Sequence, residues 1–513
     1  MKRHGPFRLS RRAVRLFYDI HSWLGILAGL ALFVCCFSGT LALFEIELVD
    51  WERPSARSQG AGTANVDLDD TLSRVFEHLG DERDFFILLP TARSTSIEAR
   101  AFGDGHVDRI YIDPADGTIT EAEGETAFAF LTHLHTDLHL PRPFGRYLVG
   151  FLGIFLMLSL ISGAMAHPKL IKELFLLRWR PSLRLTFSDI HKQLGVWSLI
   201  FGLFMAFTGA VIGLLGLFAP VMVLSAFGGD VEQATEAFSG PHFEATGVEA
   251  PMLPVAPLIA ELEAAKPGFT TRSFLISHWG DETAELSVNL ERTPYRHLAA
   301  GESHRLSLVD GRTIHVGSFT ERGLGTRLFG SVQPLHYGLF GGIALKVIYL
   351  IAGLALSLGI FSGTMLWHAR RRTAAVPGSW RERLYIRLGR AHLGVGLGLV
   401  VASCFAIAAS RLDLAAVAPV FWTTWVVVLL VALVVPDGLA LARLGGFAVA
   451  VSLGAAASVD LFTSPVTTPS TVAVDLVFLA LGLLAAAASS LTPRTIFRFR
   501  AARRPSADAA GVA

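Results

Sequence analysis

The chain has 513 residues, 52% of them hydrophobic and only 17% charged, with a formal net charge of +1. A soluble domain carries about 25% charged residues, so a mean hydropathy of +0.50 argues against a soluble enzyme and predicts an integral membrane protein. A net charge this close to zero makes no case for a nucleic-acid partner; the distribution of charge along the chain says more.

The first fifteen residues are basic but lack an A-x-A cleavage site, so the apolar run over about 24–44 reads as a retained first span. Roughly 20 residues suffice for a hydrocarbon core of about 30 Å. A polar segment, 51–132, follows, with a helix predicted over 68–79, strands over 85–89 and 109–113, and a turn at Asp113-Pro114-Ala115-Asp116-Gly117. A second span over about 146–166 leads to a basic loop, 167–188, with Lys169, Lys172, Arg178, Arg180 and Arg184, and then to a third span over about 194–223. The next polar segment, about 228–330, repeats the order: helix over 256–265, strands over 274–277 and 284–289, turn at Asp310-Gly311. A fourth span over about 343–367 ends on Arg370-Arg371-Arg372, and apolar runs over 393–410, 417–435, 444–462 and 472–491 bring the total to eight.

The expected fold is therefore mainly α and polytopic. It has a duplicated helix-pair core of four helices, two small external α+β domains and a C-terminal four-helix module. The predicted units are 1–50, 51–132 (external), 133–224, 225–334 (second external), 335–372, a linker 373–391, the four additional spans 392–493 and a basic tail 494–513. The last four spans hold few ionisable groups, Asp460 and Asp475 lying near ends, and read as an appended, mostly structural module. Basic loops mark the cytoplasmic side, which assigns both termini to the cytoplasm and both polar segments to the outside, the periplasm of a Gram-negative cell.

Two constellations recur. Asp19-Ile20-His21-Ser22-Trp23-Leu24-Gly25 returns 170 positions later as Asp189-Ile190-His191-Lys192-Gln193-Leu194-Gly195, and Ser38-Gly39 returns as Thr208-Gly209 at the same offset. Leu134-His135-Thr136-Asp137-Leu138 resembles Leu335-His336-Tyr337-Gly338-Leu339, Ser162-Gly163 matches Ser362-Gly363, His167 matches His368, and Arg146 matches Lys346. The chain is a tandem duplication of span, external domain, span.

Neutral imidazole is a good ligand for haem iron, and two histidines leave no vacant axial position, which suits electron transfer. Cofactor sites in helix bundles are built from facing helices. The expectation is two b-type haems: His21 with His191 at the cytoplasmic face, His135 with His336 at the outer face. Arg146 and Lys346 are candidate propionate partners, although snorkelling to the interface is the plainer reading for both. His167 and His368 form an alternative inner pair, and His133 or His139 could substitute for His135. Pro141-Arg142-Pro143 predicts a helix break after His135; with continuous helix, ten residues would put the outer haem about 15 Å from Arg146, at or beyond the interface. The other external histidines (His78, His106, His242, His278, His297, His304, His315) lack metal spacing and read as solvated.

Cys35, Cys36 and Cys404 all fall in predicted spans, so no disulfide framework is available to the external parts. There is no C-x-x-C-H for covalent haem and no G-x-G-x-x-G after a strand, so an electron donor, cytoplasmic or a quinone, must be separate.

Over about residues 10–372 the chain resembles the PepSY-associated transmembrane family, which includes iron-regulated inner-membrane ferric-siderophore reductases. The resemblance rests on H-x-x-x-G at His21 and His191, on L-H-x-x-L at His135, on L-H-Y-G at His336, on the S/T-G pairs and on Tyr111-Ile112-Asp113-Pro114 with Gly117. It implies a di-haem bundle that reduces a ferric siderophore or other ferric chelate outside the cytoplasmic membrane, releasing the iron. The alternatives are a non-enzymatic membrane protein whose external modules bind or regulate a partner such as a protease, and a transporter built on the repeat.

Overall fold

The computed structural model describes residues 9–58, 67–80, 84–91, 94–103, 106–121, 124–167, 175, 183–292, 298, 301–318 and 323–491. Most of the basic loop 167–188, the tail 494–504, His297 and the side chain of His106 lie outside the described residues.

The first repeat opens with α1 (Arg11–Leu27), which meets α2 (Gly29–Ala42) at a 69° bend. The straight first span expected from the sequence is thus two helices. Their compositions explain the break: α1 carries Arg11, Arg12, Arg15 and Asp19 and buries none of its residues, whereas α2 has no ionisable side chain except its cysteines. α3 (Glu45–Glu52) and a 3₁₀ turn, Pro54–Ala56, lead to α4 (Leu68–Leu79) and the strands β1 (Asp84–Leu88), β2 (Ile97–Gly103), β3 (His106–Ile112) and β4 (Ile119–Glu121). The chain returns through α5 (Ala127–Thr136) and α6 (Phe144–Ala166).

The second repeat follows the same plan. α7 (Leu183–Trp197) and α8 (Leu199–Phe227) break at Ser198, 170 positions after Ala28. Then come α9 (Val231–Ser239), α10 (Val255–Ala265), β5 (Phe269–Ser277), β6 (Glu285–Arg292), β7 (Gly301–Ser307), β8 (Thr313–Ser318), α11 (Leu324–Tyr337) and α12 (Gly342–Ala374). Four long helices complete the described chain: α13 (Trp380–Ser410), α14 (Val417–Val434), α15 (Gly438–Thr463) and α16 (Pro469–Leu491). Among the described residues seven helices are long and apolar enough to cross a membrane, or up to eight spans if the bent pair α1–α2 is one. The protein is a multi-pass membrane protein.

The two polar segments do not form two separate domains. Their strands make one eight-stranded antiparallel sheet in the order β4-β3-β2-β1-β5-β6-β7-β8. The join is β1 against β5, with Phe85 opposite Ile276 and Ile87 opposite Phe274. β1 alternates half-buried and buried positions along its length, as one covered face requires. On that face α4 and α10 close a single core that includes Val75, Phe85, Ile87, Ile259, Phe274 and Ile276. The helices are tied as well: the Asp69 carboxylate of α4 accepts the Val255 N–H at the start of α10 at 2.7 Å. His304, expected to be solvated, is buried in this sheet with Nε2 3.1 Å from Glu302.

The C-terminal helices are less detached than their sequence suggests. Leu399, Ala402, Phe421, Leu453 and Phe478 share one core with Phe33 and Phe37 of α2 and with Phe130 and Leu134 of α5. Asp460 and Asp475 are both fully buried.

Candidate functional site

Each repeated histidine lies on a helix packed against a glycine-bearing span of its own repeat: α1 on α6, α5 on α2, α7 on α12 and α11 on α8. The contact point is always the glycine of a Ser-Gly or Thr-Gly pair. A Cβ on Gly163 would sit 2.9 Å from His21 Cε1, on Gly363 2.6 Å from His191 Cε1 and on Gly209 3.1 Å from His336 Cε1, while on Gly39 it would overlap the His135 ring. Only glycine lets the imidazole lie against the helix backbone there.

That approach brings Nδ1 to a hydrogen-bond acceptor one turn earlier on the span. His21 Nδ1 donates to the Ser159 carbonyl, His191 Nδ1 to the Gly359 carbonyl and His135 Nδ1 to the Cys35 carbonyl, each at 2.8 Å. His336 differs: its Nδ1 lies 2.9 Å from Thr208 Oγ1, whose own proton goes to the Phe204 carbonyl at 2.7 Å. A carbonyl can only accept, so the three carbonyl-bonded rings carry the proton on Nδ1 and leave Nε2 as a lone pair, and His336 does the same where the Thr208 proton stays on the Phe204 carbonyl. This is the arrangement by which ligating histidines are oriented for a metal.

The rings then meet across the repeats. The His21 and His191 centroids are 5.8 Å apart on the side away from the sheet, and the His135 and His336 centroids are 5.9 Å apart on the sheet side. Two imidazoles bonded to one metal at about 2 Å each place their centroids about 6 Å apart. Among the described residues no three His, Cys, Asp or Glu side chains converge as an ion site. A metal in either gap would therefore bring its remaining ligands with it, as porphyrin iron does.

Each pair borders a cavity. A cavity of about 260 Å³ surrounds the far-side pair and one of about 470 Å³ the sheet-side pair. Gly25 and Gly195, one turn beyond His21 and His191, both line the far-side cavity, and a Cβ on either would meet no atom within 4 Å. The glycine of H-x-x-x-G keeps the space beside the ring open. Leu32, Leu156 and Leu356 line both cavities and are buried, forming the layer between them.

The remaining candidates separate clearly. His167 lines the wall of the far-side cavity, and the His368 ring lies 5.8 Å from that of His392 on α13. His139 Nε2 donates to the Phe130 carbonyl at 3.0 Å, and His133 pairs with Glu125 at 3.0 Å. Arg146 is exposed and lines the sheet-side cavity. Lys346 lines it too, yet it does not snorkel: it is 1% exposed and Nζ donates to Glu47 at 2.7 Å and to the Leu43 carbonyl at 2.6 Å. A buried ammonium needs such a partner, which leaves Arg146 as the cation facing the cavity mouth.

The sheet-side pair also lies deeper than continuous helix would place it. α5 ends at Thr136, the backbone turns through Leu138 and His139 at positive φ, and α6 begins only at Phe144. The His135 ring consequently rests on Cys35 and Gly39 within α2.

The profile of the PepSY-associated TM region matches residues 18–370, which contain all four paired histidines and the whole sheet. The chain belongs to this family. A relative from Pseudomonas aeruginosa, the uncharacterized protein PA4219, is 32% identical over 333 residues, covering 62% of this chain and 82% of its own length. The family match stops at the end of α12, so α13 to α16 lie beyond it. The residues that the repeats mark by sequence alone (Gly39, Gly163, Gly209, Gly363 and Thr208) acquire their role only in three dimensions; their signal was the shared offset.

Proposed function

We propose that the protein holds two b-type haems, one between His21 and His191 and one between His135 and His336, and passes electrons across the membrane to a ferric chelate on the sheet side. A haem held by these two pairs of imidazoles would supply one-electron transfer between the ferric and ferrous states. The observation that carries this reading is the pair of cross-repeat histidine contacts, with every Nδ1 bonded so that Nε2 is left for iron.

The chain's own residues do the rest. The Ser159, Gly359 and Cys35 carbonyls and the Thr208 hydroxyl lock each ring's tautomer and orientation. Leu32, Leu156 and Leu356 keep water out of the gap between the sites. Arg146 offers a guanidinium to a carboxylate at the outer mouth. A ferric ion that accepts one electron becomes ferrous and is bound less tightly by hard oxygen ligands such as those of siderophores. The donor is a cytoplasmic reductant or a membrane quinol at the far side. Arg370, Arg371 and Arg372 end α12 opposite the sheet, and the positive-inside rule then assigns that side to the cytoplasm of a bacterial inner membrane and the sheet to the periplasm.

An absorption spectrum of protein produced with haem supplied tests the reading. The expected result is a low-spin b-type spectrum, with His191→Ala and His336→Ala each removing one of two haems. A purified chain with no Soret band would sink it. Ferric chelate added to the reduced protein should oxidise it and deliver ferrous iron to a trap.

A further inference from the structure

The segment that leaves α2 for the sheet is gripped from outside the tandem core. Trp51 is fully buried. Its indole N–H donates to Asp475 Oδ1 at 2.8 Å, Phe478 meets its ring edge-on at 5.0 Å, and the Arg411 guanidinium lies 5.1 Å from its centroid. Asp460 takes both Arg57 and Arg411, and none of these three side chains is more than 1% exposed. Arg57 also donates to the carbonyls of Asp50 and Trp51. Asp460, Asp475 and Phe478 belong to α15 and α16, and Arg411 is the residue that ends α13.

Glu52, next to Trp51 in the chain, is 1% exposed, and its carboxylate lies between the start of α5 and Ser410 at the end of α13. Its carboxylate accepts the N–H of Ala127 at 2.7 Å and of Phe128 at 3.3 Å, in the first turn of α5. Those N–H groups have no partner within the helix, and a negative charge there is favoured by the helix dipole. Two turns further along α5 stands His135. The flank of the same helix, Phe130, Leu131 and Leu134, packs in one core with Leu399, Ala402 and Phe421 of α13 and α14.

Among the described residues the second repeat shows no counterpart of Glu52. The residue before α11 is Gly323, which offers no side-chain cap, and Leu324 and Leu328 of that helix are exposed.

We propose that Glu52 is a positioning residue for the sheet-side site, and that the C-terminal helices, through Asp460 and Asp475, hold Glu52 in place and so set the orientation of the His135 ring. The inference rests on the haem reading above. Orientation of an axial imidazole and its hydrogen bond tune the iron to which it is bonded. The four helices beyond the family region are thereby a control on one of the two sites.

The test uses the full chain in detergent, with a redox titration that resolves two haem components and low-spin EPR spectra of each. Glu52→Ala and Asp460→Asn should shift the midpoint and EPR signature of the sheet-side haem, and speed its loss about tenfold, while the far-side haem stays unchanged. Glu52→Gln, which keeps one oxygen for the Ala127 N–H and loses the longer bond from Phe128, should fall between wild type and Glu52→Ala. Asp437→Ala removes the cap of α15, remote from α3, and should move neither component. Equal shifts of both haems, no shift in either, or a sheet-side shift in Asp437→Ala would each overturn the proposal. If Asp460→Asn does not fold, the contrast between Glu52→Ala and Glu52→Gln decides. A wild-type chain without haem overturns the parent reading as well, and is told apart by its missing Soret band.

Discussion

In the first repeat, α5 is capped by Glu52, flanked by α13 and α14, and its histidine is bonded to a backbone carbonyl. In the second, α11 packs on α8, starts at a glycine, and its histidine is bonded to the Thr208 hydroxyl. On the far side the repeats are alike, His21 and His191 using carbonyls four residues before Gly163 and Gly363. Duplication thus left the far-side pair symmetric and allowed the sheet-side pair to diverge. The teaching is that the glycine cradle is the common requirement, whereas the acceptor and the support of each helix are free to change.

Three perturbations would break or sharpen that contrast. The largest effect is expected from Gly363→Ala and Gly39→Ala, because the new Cβ must displace His191 or His135 from its acceptor. On the proposed two-haem reading, each should abolish one haem and spare the other, read from haem content and the difference spectrum; retention of both haems in either variant would show that the cradle is dispensable. Next is the pair of matched cations. Lys346→Met removes the ammonium that pairs with the mostly buried Glu47 carboxylate and should cost about 3 kcal/mol, seen as a lower thermal midpoint. Arg146→Met should leave stability near wild type while weakening retention of the sheet-side haem, and equal destabilisation by both variants would contradict the assignment of separate roles. The smallest effect belongs to Thr208→Val, which removes one acceptor worth about 1 kcal/mol. It should shift the sheet-side midpoint alone, and a shift of the far-side component instead would mean that the pairing is misassigned.

Much of this was legible in the sequence because duplication writes the same residues twice. The 170-residue offset alone isolates His21 and His191, and the spans follow from apolar runs whose ends agree with α6, α13, α14 and α16 to within several residues in most cases; the basic approach at 380–392 continues α13 backwards and was missed. What stayed hidden was non-local. The β1–β5 join leaves no local mark, since an edge strand and a paired strand can share one alternating pattern, and two domains were expected where one sheet exists. The break at Ala28 carries no proline; its local marks are the flanking Gly25 and Gly29, weak helix formers, and a change from charged to apolar composition. Asp460 and Asp475 look innocuous near helix ends until Arg57, 403 positions from Asp460, is seen beside them. His304 likewise owes its burial to its neighbours, lying between Val288 of β6 and Val316 of β8 and beside Glu302.

The pairing of β1 with β5 is reciprocal: phenylalanine faces isoleucine in both directions, Phe85 to Ile276 and Phe274 to Ile87. Contacts that exchange in this way are those of a twofold dimer. Each histidine pair likewise takes one member from either repeat. An ancestor with a single repeat would have owned half of each histidine pair and a bare strand edge, a standing invitation to pair with another chain. Such a gene product would have worked only as a homodimer. Fusion into one chain made that encounter independent of concentration, and it released the halves from identity, so that one could recruit extra helices while the other kept its surface open to lipid.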